Sequence, residues 1–402
     1  MTQVTHSSDV IVIGGGPAGA TASALIAQAG YEVSLLEAQT FPRFHVGESL
    51  IPAVNLTLDR LGVLDQMDGH GFPSKHGVQF YSPKGAGRPF YFSEATDPRM
   101  HQTWQVLRSD FDSMLLDKAV ENGVTTFMGT RALEARRDGD RITGIRATNG
   151  HDEKLTFDAP VVIDASGQNG VVARRLGRRT GVPDLENLAV FAHYRDARLD
   201  DGIDAGSTLI FRLEAKSWLW FIPLPGVVSV GLVAPSKTIW SYGDEPESVL
   251  DAAIGACPHL MERLDEASRT TDVHVARDFS YVAQQEGGEG WLLAGDALGF
   301  IDPVYSSGLF LAVYSAELAA DAVDDAFKAG GPPRFESYAA SYRSAWDRFL
   351  SIVRAFYTEG FHFGPLAKDA DGRQGLVDIL TGDVGTPSAD RVARAISATL
   401  GG

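Results

Sequence analysis

A chain of 402 residues with 44% hydrophobic and 22% charged residues is too long for one core and too apolar to stay unfolded, so about two or three globular lobes are expected. The formal net charge of −17 repels a phosphate backbone and an anionic membrane surface, which argues against nucleic-acid and membrane partners. A single cysteine, Cys257, excludes an internal disulfide, and with no signal-like N-terminus and no apolar run of about 18 residues a cytoplasmic protein without a metal site is expected.

In chain order, Asp9–Ile13 is apolar without alternation, the pattern of a strand buried in a parallel sheet. GGGPAGA then opens a helix of small residues reaching about Gly30, and a second buried strand, Tyr31–Leu36, ends at Glu37. Strand, glycine turn, helix and strand make a βαβ unit of about 30 residues. Ser49–Met67 reads as a helix. Val78–Tyr81 and Pro89–Phe92 read as strands of a separate sheet. A helix is expected over Asp110–Asn122, with Ser109 as N-cap, Asp112 as its partner three residues on, and Gly123 as the stop. Residues 124–165 read as a β-meander turning at Asp138–Asp140. Aromatic-rich strands follow, then a helix near Pro246–Ala256, a buried strand at Trp291–Ala294 and a long helix. From Pro332 the chain is mostly helical.

Gly14, Gly16 and Gly19 form G-x-G-x-x-G between strand and helix. The first permits the tight turn, the second lets backbone approach a pyrophosphate, and the third lets helix and strand pack closely. Ala18 lies in the same turn. The free N–H groups of the helix N-terminus would face the phosphates, and Glu37 would accept from ribose hydroxyls. Far downstream, WLLAGDALGFIDPVYSSG resembles the C-terminal FAD motif of aromatic hydroxylases. That resemblance places Asp296 on the ribityl chain and the segment bearing Gly308 along the ring system. It adds Arg43, Arg108 and Asp164 to the cofactor set, although the turn at Asp164 also reads as a simple loop. The fold expected is α/β: a Rossmann-like FAD-binding domain (1–80, 100–180 and 272–330), an inserted β-sheet substrate lobe (81–99 and 181–271) and a helical C-terminal region (331–402).

Three further patterns stand out: FPRFHVGESLIP at 41–52, GFPSKHGVQF at 71–80, and Trp218-Leu219-Trp220-Phe221-Ile222-Pro223, which fits W-x-W-x-I-P. With the two FAD motifs they resemble flavin-dependent halogenases over roughly residues 9–330. The resemblance implies that reduced FAD and O2 form a C4a-hydroperoxide. Chloride or bromide, held near Ser307 and Gly308, attacks it to give hypohalous acid. Lys75 then presents the halogen to an electron-rich ring. A buried lysine suits this role because burial moves its amine toward neutrality. Trp218, Trp220, Ile222 and Pro223 would separate flavin from substrate. Tryptophan halogenases carry a glutamate where this chain has Tyr305, so the resemblance points to phenol or pyrrole substrates, free or tethered to an acyl or peptidyl carrier protein. No second glycine fingerprint follows a buried strand, so a separate flavin reductase is the expected source of reduced FAD. The competing readings are an FAD-dependent aromatic hydroxylase, a flavin-dependent isoprenoid reductase, and a catalytically inactive binding protein.

Overall fold

A computed structural model describes residues 4–400 except 215 and 337. Five parallel strands form its centre, in the spatial order Trp291–Leu293, Val161–Asp164, Val10–Ile13, Val33–Glu37 and Thr125–Met128, with Gly287–Gly288 antiparallel at one edge. The middle strands are wholly buried, as their unbroken apolar runs require. The helices are α1 (Pro17–Gln28), α2 (Val54–Leu61), α3 (Arg108–Glu121), α4 (Pro246–Gly255), α5 (Pro258–Arg263), α6 (Ser307–Ala329), α7 (Ala340–Tyr357), α8 (Gly364–Lys368), α9 (Ala370–Thr381) and α10 (Pro387–Leu400). Helix α1, poor in large side chains, packs against both α3 and α6.

A second, larger sheet runs through Gly299–Phe300, His274–Ala283, Arg179–Arg195, Val227–Pro235, Trp218–Leu224, Thr208–Arg212, Gly77–Ser82 and Gly85–Ala86. Trp218–Leu224 lies at its middle, paired on both sides and buried on both faces. Trp218, Trp220 and Ile222 join the core shared with the parallel sheet and the C-terminal helices. Leu219 and Phe221, alternating with them, pack into a separate core with Val249, Leu250 and Leu260 of α4 and α5. This is why the segment is apolar at every position. Strand Gly77–Ser82 begins inside the stretch expected to belong to the cofactor lobe, yet pairs with Thr208–Phe211 of the larger sheet.

Three expectations are corrected. Ser49–Met67 is not one helix: α2 covers only Val54–Leu61, followed by two single turns. Pro52 disfavours helical backbone at Ile51, and Gly62, at φ 73°, caps α2 in the left-handed region. Helix α3 starts at Arg108, so Ser109 is not its N-cap. Asp112 turns to Arg108 instead of back to the cap. Residues 124–165 are not a single meander. Thr125–Met128 returns beside Val33–Glu37 as a parallel strand, the crossover that α3 makes possible, and Val161–Asp164 enters the same central sheet. Only the three strands between them form the meander, and Val4–Ser7 pairs onto its edge.

Candidate active site

The cofactor motifs converge at the carboxyl ends of the parallel strands, where open α/β sheets bind ligands. A Cβ on Gly14 (φ 105°) would stand 2.4 Å from the Ala165 carbonyl oxygen, and one on Gly19 would stand 1.8 Å from that of Gly14. Both must be glycine for the first turn to close against the Asp164–Gly167 turn. Gly295 (φ 59°) lies against Ala18, where a Cβ would come within 2.8 Å of the alanine methyl. So the two motifs, far apart in sequence, share one cleft.

Glu37 accepts the Gly15 N–H at 2.7 Å through Oε2 and the Gln39 N–H at 2.7 Å through Oε1, which orients the carboxylate at the glycine turn. Arg108 is held by its neighbours: its Nε and Nη2 donate to Asp112 at 2.7 and 2.9 Å, and its Nη1 donates to the Val46 carbonyl at 2.7 Å. Arg43 differs. It is within 3.4 Å of Asp112 through Nη2, but its buried Nε and Nη1 have no hydrogen-bond partner. A Cβ on Gly16 would stand 3.2 Å from the Arg43 Nη2, so this underused guanidinium sits directly over the glycine turn. Asp164 is spent internally. Its Oδ1 takes the Ser166 N–H and hydroxyl, and its Oδ2 takes the Val172 and Ala173 N–H groups. It holds the turn in place, with all four of its acceptor positions taken by the turn's own donors. Asp296 is half-buried, and burial raises its carboxyl to about 6 against the pull of Arg108 and Arg179. The glycine cradle, the unpaired Arg43 donors and the oriented Glu37 fit a dinucleotide such as FAD.

Lys75 lies in a short strand, Ser74–Lys75, paired with Thr103–Trp104, and is 2% exposed. Its Nζ donates to Ser49 Oγ at 2.9 Å and to the Leu50 carbonyl at 2.8 Å, and it sits 5.4 Å from the Phe92 ring centre. Ser49 Oγ is in turn 3.0 Å from Thr208 Oγ1, which accepts from Gln105 Nε2 at 2.8 Å. Burial pushes the amine down to about 7. A small cavity, with about 10 Å³ of water-sized space, is lined by Lys75, Ile51, Val78, Phe92 and Leu380 on one side and Val304, Tyr305 and Ser306 on the other. It holds about one water at most. The 304–306 wall leads into α6. Ser306 is left-handed (φ 56°), Ser307 opens the helix with Gly308 next to it, and the buried Ser307 Oγ has no partner. Free N–H groups and an unsatisfied hydroxyl at one helix N-terminus suit an anion.

The indoles of Trp218 and Trp220 lie 6.1 Å apart, both nearly fully buried, with Ile222 and Pro223 further along the strand. Trp220 Nε1 donates to Ser229 Oγ at 3.0 Å. Its ring lies over Gly231, where a Cβ would come within 2.3 Å of the indole. Sequence reading passed over Gly231; its only signal is a glycine inside a strand, which marks close approach of another group. It also passed over Phe356, Tyr357 and Leu380, which the C-terminal helices bring to the site. Nothing in their local sequence sets them apart from ordinary helix-packing residues.

An FAD-binding domain family matches residues 7–347. The chain is 31% identical over 381 residues to a 1H-pyrrole-2-carbonyl-[peptidyl-carrier protein] brominase of Pseudoalteromonas luteoviolacea, covering 94% of this chain and 92% of that one. It is 32% identical to a tryptophan 2-halogenase of Chondromyces crocatus, covering 88% and 69%. Among solved structures, a flavin-dependent brominase superposes with a TM-score of 0.89 at 29% identity over 98% of both chains. The myxobacterial chondrochloren halogenase superposes with a TM-score of 0.83 at 32% identity, over 88% of this chain and 83% of that one. These likenesses favour neither the hydroxylase nor the isoprenoid reductase reading. The chain belongs to the flavin-dependent halogenases, enzymes built on an FAD-binding domain.

Proposed function

We propose that this enzyme halogenates a pyrrole or phenol ring carried on an acyl or peptidyl carrier protein, with Lys75 delivering the halogen. The observation that carries this reading is the placement of Lys75: a buried amine facing, across one small cavity, the turn that opens α6. The substrate class rests on the pyrrole-carrier brominase likeness and on Tyr305 standing where tryptophan halogenases place a carboxylate.

Gly14, Gly16, Ala18, Gly19, Glu37, Arg43, Asp296 and Gly308 would hold FAD, with Arg108 and Asp164 shaping the walls. Reduced FAD and O2 supply the oxidising equivalents that turn halide into hypohalous acid. Ser307 and Gly308 hold the halide by a free hydroxyl and helix N–H groups. Trp218, Trp220, Ile222 and Pro223 exclude the organic ring from the flavin side, so oxygen is not transferred to it. Lys75 donates a hydrogen bond to the hypohalous oxygen while Ser49 and Leu50 fix its other N–H groups. As the ring carbon attacks the halogen, the O–X bond breaks toward oxygen. The hydroxide so formed takes up the ring proton and leaves as water. An activated pyrrole or phenol needs no strong base for that last step. Reduced FAD comes from a separate flavin reductase, because among the described residues the glycine turn at Gly14–Gly19 is the only dinucleotide fingerprint.

Incubation with a flavin reductase, NADH, FAD, bromide or chloride, and pyrrole-2-carboxyl or phenolic acyl groups loaded on carrier proteins tests the reading by mass spectrometry. A product gaining halogen in place of hydrogen supports it. A product gaining oxygen instead, or turnover of free tryptophan alone, overturns it.

A further inference from the structure

Four buried groups from separate parts of the chain form one hydrogen-bonded chain behind the indole screen. Trp218 Nε1 donates to Tyr357 Oη at 2.6 Å, and Tyr357 Oη donates its single proton to Asp302 Oδ2 at 2.7 Å. Asn187 Nδ2 donates to that same oxygen at 2.8 Å, while Oδ1 accepts the Val304 N–H at 3.2 Å. Asp302 is fully buried and caps the turn that leads through the left-handed Ser306 into α6. One carboxylate therefore sets the turn carrying Ser306 and Ser307 and, through the tyrosine, the tilt of Trp218.

Tyr357 is the last residue of α7, a helix outside both cofactor motifs. The preceding Phe356 meets Trp218 edge-on at 6.4 Å and Tyr305 edge-on at 6.2 Å. The end of α7 is thus a wedge between the indole screen and the cavity of Lys75. An indole N–H is donor only, and a buried one left unpaired costs as much as the lost bond or more. The tyrosine hydroxyl meets this need while passing its own proton to a carboxylate, a charge-assisted bond of the stronger kind. The ring of Trp218 is then held by direction as well as by shape.

We infer that Tyr357 is a positioning residue that locks Trp218 to the Asp302 turn and so retains the oxidant between its site of formation and Lys75. The inference rests on the halogen-delivery reading given above. Tyr357→Phe removes one oxygen atom and leaves the ring. With reduced FAD, O2 and bromide but no aromatic substrate, monochlorodimedone in solution reports escaping hypobromous acid, and acid quench reports the total formed. The initial trapping rate is expected to rise about five-fold in Tyr357→Phe, the size of one lost buried hydrogen bond, with total oxidant unchanged. In protein labelled with 15N at its six tryptophans, the Trp218 indole resonance, assigned by its loss in Trp218→Phe, should move upfield. A merely structural role for Tyr357 would add to the effect of Trp218→Phe; a role exerted through the indole adds nothing in that background. Equal trapping rates in wild type and Tyr357→Phe, or an unmoved indole resonance, overturn the inference alone. Absence of any oxidant from the wild type overturns the delivery reading instead.

Discussion

Lys75 Nζ lies 2.9 Å from Ser49 Oγ, and Ser49 belongs to the segment whose residues 46 and 47 accept hydrogen bonds from Arg108. The same short stretch of chain therefore touches the proposed cofactor cleft at one end and the buried amine at the other. Between them, Glu48 is 2% exposed and its Oε1 lies 2.8 Å from His193 Nε2 of the larger sheet. The stretch is pinned at three points.

Lys75→Met keeps the length of the side chain and removes the amine. Halogenated product should fall at least about 100-fold, the scale of losing a proton-donating group in a reaction site, while the yellow cofactor stays bound. Mass spectrometry of product and absorbance of the purified protein check both halves. Persistent halogenation by this variant would end the assignment.

Stability of the two forms should also separate with pH. The unfolded chain holds the lysine proton up to about 10.5 and the folded chain only to about 7. Between those values the unfolded state binds more protons, so the wild type gains on Lys75→Met by ~1.4 kcal/mol per pH unit. Urea unfolding of both proteins at pH 7 and pH 9 measures the change. Parallel curves would show that the amine keeps its proton inside the fold.

Ser49→Ala deletes one acceptor of the ammonium and leaves a less polar site with a small void. The charged form of Lys75 then loses support, and its pKa should move below about 7. Since Lys75 works as the protonated donor, the alkaline limb of the pH–rate profile should shift down with it. An unmoved limb would mean that a different group titrates there.

Arg43→Ala should weaken FAD binding about 10- to 100-fold, the cost of losing charge-assisted hydrogen bonds to the cofactor. The apoprotein should melt close to wild type, because Nε and Nη1 have no partner and the 3.4 Å contact of Nη2 is with Asp112, which Arg108 still pairs at 2.7 and 2.9 Å. Titration of apoprotein with FAD and a melting curve without it separate the two effects.

Gly231→Ala places a methyl within 2.3 Å of the Trp220 ring and 2.5 Å of the Phe191 Cβ. Overpacking of that kind costs about 1–3 kcal/mol, and here the relief must come from the indole. Denaturant unfolding reads the loss. An equally stable variant would mean that the indole has room to shift.

Much of the site was legible from residue types at fixed spacing. The glycine turn, Glu37 and the Gly295-Asp296 turn are legible because backbone conformation and close approach restrict them to few residue types, and because strand and helix flank them locally. The W-x-W-x-I-P strand is legible for a related reason: a segment buried on both faces must be apolar at every position. Local sequence also fixes the caps and breaks, but only when every residue is weighed; Pro52 and Gly62 cut short the helix expected from Ser49 onward.

What local sequence leaves open is which distant groups share a partner. Asp112 suits a helix cap by spacing, yet Arg108 offers a bidentate bond and takes it. Asp164 suits a ligand by position, yet four donors of its own turn consume it. Burial of Lys75 follows from the chain around it: its backbone pairs with Thr103, its amine finds Ser49 and Leu50, and Leu380 closes the cavity from α9. A lysine's desolvation depends on the whole shell of atoms around it, and most of that shell is remote in sequence. The motifs therefore determined which cofactor and which chemistry this chain serves. Only the tertiary packing, of strands, loops and C-terminal helices together, decided where the amine, the indoles and the turn that opens α6 stand relative to one another.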